Sequence, residues 1–262
     1  MRVASLRRST PVTQRDRRRS VLPAAATALV LAATGCSGGL FGWPDPPPDA
    51  QGTRVLPVVI PLVQGEYAFL ETHEDGSPVV PDPCRPMHWT LNPEGMPPGA
   101  DARIREAFDT VSRYSGLQFV EDPPTDERPD LRRRQVQRDR YGDRIAPVLV
   151  AFARAEDVAD MGAEVAALAT PQTISSGRGT ERISGGQLVV DSEFTAWALT
   201  SPDGQARLRM VLMHEMGHLI GLAHVSNPSE VMSPVANGFL DFGPGDQQGL
   251  ARAGSGRCFS DA

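Results

Sequence analysis

The sequence predicts an α+β fold in which short apolar strands alternate with two long helices and a short helix closes the chain. Three observations carry this. A strand, a helix and a second strand follow one another between residues 87 and 121. A continuous apolar run at 147–153 has the character of a strand buried on both faces. A long helical stretch from Pro202 carries three of the five histidines at its end.

Taken in order, Met87 to Leu91 reads as a short strand, and Pro97-Pro98-Gly99 then breaks the chain. Ile104, Ala107, Phe108, Val111 and Tyr114 form one stripe of a helix, with Gly116 as its C-cap. Leu117 to Glu121 reads as a strand again, so 87–121 is expected to form a right-handed parallel crossover. Residues 122–144 hold seven Arg and six acids. The run Arg132-Arg133-Arg134 is expected on a solvated surface loop, the alternative being an anion site. Glu164 to Thr170 is ambiguous between helix and strand, and Gln187 to Asp191 reads as a strand after Gly185-Gly186. Ser201 is the N-cap candidate of a helix that starts at Pro202 and runs through Ile220. A last helix is expected from Gly245-Asp246 to Ala253.

The chain has 262 residues, room for one domain with appendages. All 26 basic residues are Arg, which points to high-GC coding and a bacterial source. Residues 1–35 hold seven Arg and one Asp, and the rest of the chain is left at −12 out of a total of −6. So acidic a body argues against nucleic acid as a partner. The basic N-terminus precedes an uncharged apolar stretch, Val21 to Ala33, too short to span a bilayer and of the right length for a secretory signal. It ends in Ala33-Thr34-Gly35-Cys36, which resembles a lipobox, so Cys36 is the expected site of acylation. Domain boundaries follow: 1–35 a lipoprotein signal, 36–82 a Pro/Gly-rich tether, and 83–262 the functional domain. The expected place is the outer face of the bacterial membrane, held by lipid alone, or secretion. With Cys36 lipidated, Cys84 and Cys258 remain, and two cysteines of an exported protein are expected to bond.

The chemistry is concentrated in His214-Glu215-Met216-Gly217-His218-Leu219-Ile220-Gly221-Leu222-Ala223-His224. Positions i and i+4 share a helix face, so His214 and His218 can hold one ion. Gly221 can take a left-handed conformation without steric cost and turn the chain back, which brings His224 in as third ligand. Three imidazoles leave the fourth position of Zn²⁺ open. Glu215 reaches over the site without binding metal. The five fixed positions arise by chance with odds of roughly one in 10⁵.

This segment resembles the metzincin zinc metalloproteases, and Met232, in Val231-Met232-Ser233-Pro234 eight residues beyond His224, fits their methionine turn. Within that clan the chain is similar to matrixins and their bacterial relatives over about residues 84–258. Ile145 to Ala153, Val165 to Pro171 and Gln187 to Trp197 resemble their third, edge and fifth strands, and Phe242 to Ala251 resembles the entry to their last helix. The resemblance implies a twisted, mostly parallel five-stranded sheet with an antiparallel edge strand, one catalytic zinc, and a monomer acting on protein or peptide substrates. There are departures. Ala167, Leu168 and Val189 stand where matrixins carry histidines for a second zinc. Asp191 and Glu193 lie near the calcium ligands but one residue short in spacing, which leaves calcium unsupported. Pro234 replaces the tyrosine that some metzincins add as a ligand. The latency motif is absent. Pro83-Cys84-Arg85-Pro86 echoes it, and keeps open the alternative that Cys84 caps the metal as a thiolate.

The function expected from this is a zinc metalloendopeptidase acting on extracellular proteins, with water activated at zinc and Glu215 as general base. The competing function is a binding lipoprotein whose zinc fold does not cut; an intact Glu215 argues against it.

Overall fold

A computed structural model describes residues 53–62, 64–158, 161, 165–175, 181–235 and 241–259. The chain divides into two units, and the described residues all belong to the one that includes Pro44–Ala262; Cys36 and the expected signal over 1–35 lie outside the described residues.

The fold is α+β with a five-stranded sheet in the order β2-β1-β3-β5-β4. Strand β1 is Met87–Leu91, β2 Phe119–Glu121, β3 Val148–Ala153, β4 Ala167–Ser175 and β5 Glu181–Asp191. β1 pairs in parallel with β2 and β3, and β3 in parallel with β5; β4 alone runs antiparallel, along β5. The expected apolar run at 147–153 is the buried centre of this sheet, with Val148, Leu149 and Val150 fully covered. The ambiguous segment at 164–170 is strand, and it continues to Ser175. Its partner β5 starts six residues before the predicted Gln187, because Glu181–Gly186 gain their place by pairing with β4 and not by apolar pattern.

Helix α1 (Ala100–Ser115) crosses from β1 to β2, burying Ile104, Ala107, Phe108 and Val111 as their spacing predicts. Phe108 stacks on Trp89 with ring centroids 4.3 Å apart. Gly116 ends the helix in the left-handed region. Short helices α2 (Arg138–Tyr141) and α3 (Ser192–Ala198) follow. In α4 (Pro202–Leu219) the Ser201 hydroxyl accepts from the Gly204 N–H and Pro202 opens the first turn. From Met210 to Leu219 this helix is buried on all sides, lying between the sheet at β4 and helix α1. Helix α5 (Pro244–Gly254) packs on α1.

Two expectations need correction. The tether predicted over 36–82 does not stand off the domain in its described part. Arg54 donates to the carbonyls of Gly254 and Gly256, and Val55 N–H donates to Pro83 O. Val79, Val80 and Asp82 are buried, and Pro81 bridges to Ile183. Prolines there fix a chain that is laced onto the domain. In the charged stretch 122–144, Arg133 is buried. Its guanidinium meets both oxygens of Glu127 at 2.8 and 2.9 Å and donates to the carbonyls of Gly186 and Pro147. The loop is anchored on the β4–β5 hairpin, and this arginine is not open to an anion. Cys84 is bonded to Cys258, with Cα atoms 5.3 Å apart, so no thiolate at Cys84 is free to cap a metal in this structure.

Candidate active site

The last turn of α4 builds the site. His214 and His218 point from one helix face, and their rings meet edge to face with centroids 4.6 Å apart. The helix then ends in a Schellman turn: Leu222 N–H donates to Gly217 O at 2.9 Å and Gly221 N–H to His218 O at 3.0 Å. Gly221 has φ +106°, where a side chain would be strained, and a Cβ there would stand 2.9 Å from Val79 O. The turn sends the chain back so that His224 faces the other two imidazoles.

His224 Nε2 lies 3.1 Å from Nε2 of His214 and 3.1 Å from Nε2 of His218. Zn–N bonds of 2.0–2.1 Å in a tetrahedron place ligand nitrogens about 3.3–3.4 Å apart, so this spacing fits zinc with little movement. The tautomers fit as well. His214 Nδ1 donates to Val231 O at 2.6 Å and His218 Nδ1 to Leu222 O at 2.8 Å, which leaves each Nε2 lone pair for a metal. Burial pushes the His214 imidazole down to about 4 and that of His218 to about 3, and lowers that of His224, so all three are neutral bases near pH 7.

Glu215, next to His214 in the helix, is buried. Its Oε2 accepts from the N–H of Ala169, in edge strand β4, at 2.7 Å. Its Oε1 is buried with no hydrogen-bond partner. Burial pushes the carboxyl up to about 8, against the pull of the Ala169 amide.

Met232 lies under the site. Its Sδ packs where a Cβ on Gly217 would stand, 2.4 Å away. Asp246, in the first turn of α5, holds this turn from behind: its carboxylate accepts from the N–H groups of Val231, Met232 and Gly243. Thus Asp246 fixes the peptide whose carbonyl receives the proton of His214 Nδ1. In the sequence Asp246 is legible only as part of a helix entry. An acid at the third position of a helix that opens with proline was the available signal. No signal marked Ala169. Asp191 and Glu193 are engaged otherwise: Asp191 caps α3 through Phe194 N–H, and Glu193 pairs with Arg154.

Among protein families, the model described as Matrixin (Peptidase_M10) matches residues 90–242, more than half of the chain, from β1 through the methionine turn. No curated protein matches the chain.

Proposed function

The chain belongs to the matrixin family of metallopeptidases, and on that premise we propose that it is an endopeptidase in which Glu215 is the general base. The observation that supports this most directly is the state of Glu215. A buried carboxyl oxygen without a hydrogen-bond partner is costly, and Oε1 of Glu215 is such an atom. One oxygen is pinned by Ala169 and the other is left for chemistry.

His214, His218 and His224 would hold the ion. Bound there, zinc lowers the pKa of a coordinated water towards 7 and polarises a carbonyl. Glu215 takes a proton on Oε1 as the peptide is attacked, and returns it to the leaving amine. Strand β4 is the end of the sheet, with β5 on one side only among the described residues, so an extended peptide can lie along it as an added strand. Ala169 anchors Glu215 to that same strand, so the register of the peptide and the position of the base are set together. Residues just after Met232, where Val235 is exposed, would wall a pocket next to the metal and select the side chain that enters. The substrates proposed are extracellular proteins. Acylation at Cys36 would hold the enzyme on the outer face of the membrane, and Cys36→Ala should release it from the membrane fraction.

The test is casein hydrolysis that disappears with a chelator and returns with zinc. Glu215→Ala should keep one zinc per chain and lose about 10²–10⁴-fold in rate. Full turnover by the zinc-loaded variant would sink the assignment.

A further inference from the structure

The stretch upstream of the family-matched region runs beside the loop that carries His224. Leu70 N–H donates to Gly221 O at 2.9 Å, and Ala223 N–H donates to Ala68 O at 2.8 Å. Phe69 and Leu222 face each other between these bonds as an antiparallel bridge. Two residues before Ala68, the carboxylate of Glu66 accepts from Ser226 N–H at 3.2 Å, from Ser226 Oγ at 3.0 Å and from Asn227 N–H at 3.0 Å. Gly221, Ala223, Ser226 and Asn227 bracket His224, so the loop is held on both sides of its ligand by the same short segment.

His224 needs this support more than its partners do. His214 and His218 sit on a buried helix, and both have an Nδ1 proton fixed by a carbonyl. His224 is half-buried on irregular chain. A ligand on a loop that is ordered before the metal arrives loses less conformational entropy on binding.

We propose that residues 66–70 are a positioning element for the metal site: Glu66 and the segment that follows it hold His224 in ligating position, and the working enzyme keeps them. This rests on the reading that the three imidazoles hold zinc. It also bounds any maturation of the chain. Cleavage beyond Gly65 would remove this support from the site, so residues 66–82 are part of the peptidase and not a removable leader.

The test uses the full chain and zinc itself. Zinc affinity is measured by competition with a chelator for wild type, Glu66→Ala, Glu66→Gln and, as a control on the exposed turn nearby, Glu74→Ala. Glu66→Ala should bind zinc more weakly by on the order of ten-fold or more, as is usual for a group that orients a ligand. Glu66→Gln, which keeps one acceptor oxygen, should fall between, and Glu74→Ala should match wild type. Hydrogen exchange at the Ala223 amide of the metal-free protein should be faster in Glu66→Ala. A Glu66→Ala protein that unfolds at lower temperature but binds zinc like wild type would make the role merely structural and overturn the inference. N-terminal sequencing gives a check free of variants: zinc-loaded, active protein should begin before Glu66, and an active form beginning after Leu70 would overturn it. If wild type takes up no zinc, the metal reading falls and this inference with it. If wild type binds zinc and Glu66→Ala is unchanged, this inference falls alone.

Discussion

The sulfur of Met232 lies against the backbone of Gly217, one residue before His218: a Cβ at Gly217 would meet Sδ at 2.4 Å and Cε at 3.2 Å. The residue between Met216 and His218 is therefore glycine for the sake of a neighbour fifteen positions away. The turn that carries Met232 also supplies the carbonyl that fixes His214. Helix and turn are locked together through the smallest side chain on one and a flexible one on the other.

Gly217→Ala should destabilise the protein by about 1–3 kcal/mol, the usual cost of overfilling a tight core. Met232 is 2% exposed and has nowhere to retreat. The loss should be partly recovered in a double variant with a smaller residue at 232, since contacting sites do not add. Chemical denaturation of the three proteins checks this. An unchanged midpoint in Gly217→Ala would show that the turn yields freely.

Asp246 should leave a pH signature on stability. Burial and the neighbouring charge of Glu230 push its carboxyl up from 3.8 to about 6, although three backbone amides pull the other way. The folded state thus binds the proton more tightly than the unfolded one. Stability contributed by the protonated group is complete below about pH 4 and is lost as pH rises towards about 6. Asn at this position cannot titrate. The stability of wild type minus that of Asp246→Asn should therefore fall between about pH 4 and 6 and be flat above, as read by urea unfolding at several pH values. A difference that grows with pH across that window would contradict the assignment.

Arg133→Ala should be among the most damaging single changes outside the site. It would leave Glu127 buried without its cation, at a cost of about 3–5 kcal/mol. It would also free the carbonyls of Pro147 and Gly186. Tyr141 and Gln137 still donate to Glu127 and would soften the loss. Replacing both partners by apolar residues of similar size should recover most of it. Thermal unfolding of the single and double variants decides; a single variant within about 0.5 kcal/mol of wild type, the range of ordinary surface changes, would place the pair at the surface in solution.

These residues show what a sequence can and cannot carry. Local periodicity made α1 legible, the Ser201-Pro202 start made α4 legible, and fixed spacing made His214, Glu215, His218 and His224 legible, because each of those patterns is decided within a turn or two of chain. Arg133 was not legible. Nothing local separates it from Arg132 and Arg134, and its burial depends on carbonyls at 147 and 186. Glu181–Gly186 is polar and glycine-rich, and is strand because β4 pairs with it. The stretch 64–82 has no period at all, so it read as a tether; its partners, Gly221 to Asn227, lie some 150 residues further along. Asp246 falls between these cases, with its helix entry visible and its hold on Val231 and Met232 not.

The bond between Cys84 and Cys258 joins the two ends of the family-like region, 174 positions apart in sequence. Loop-closure arithmetic gives about 5 kcal/mol for a loop of that size, an upper limit because the reduced chain keeps some structure. Both cysteines are also placed where upstream and downstream segments meet: Val55 bonds to Pro83 beside Cys84, and Arg54 holds Gly254 and Gly256 just before Cys258. Cys258→Ser should therefore lower stability by up to that amount and loosen residues 53–62, while the zinc content stays at one per chain because neither cysteine touches the histidines. Reduction should never activate the enzyme, as it would if Cys84 capped the metal. Denaturation midpoints, elemental analysis and a non-reduced digest check the three parts. Activity that rises on reduction, or a digest with no peptide joining Cys84 to Cys258, would restore the thiolate cap.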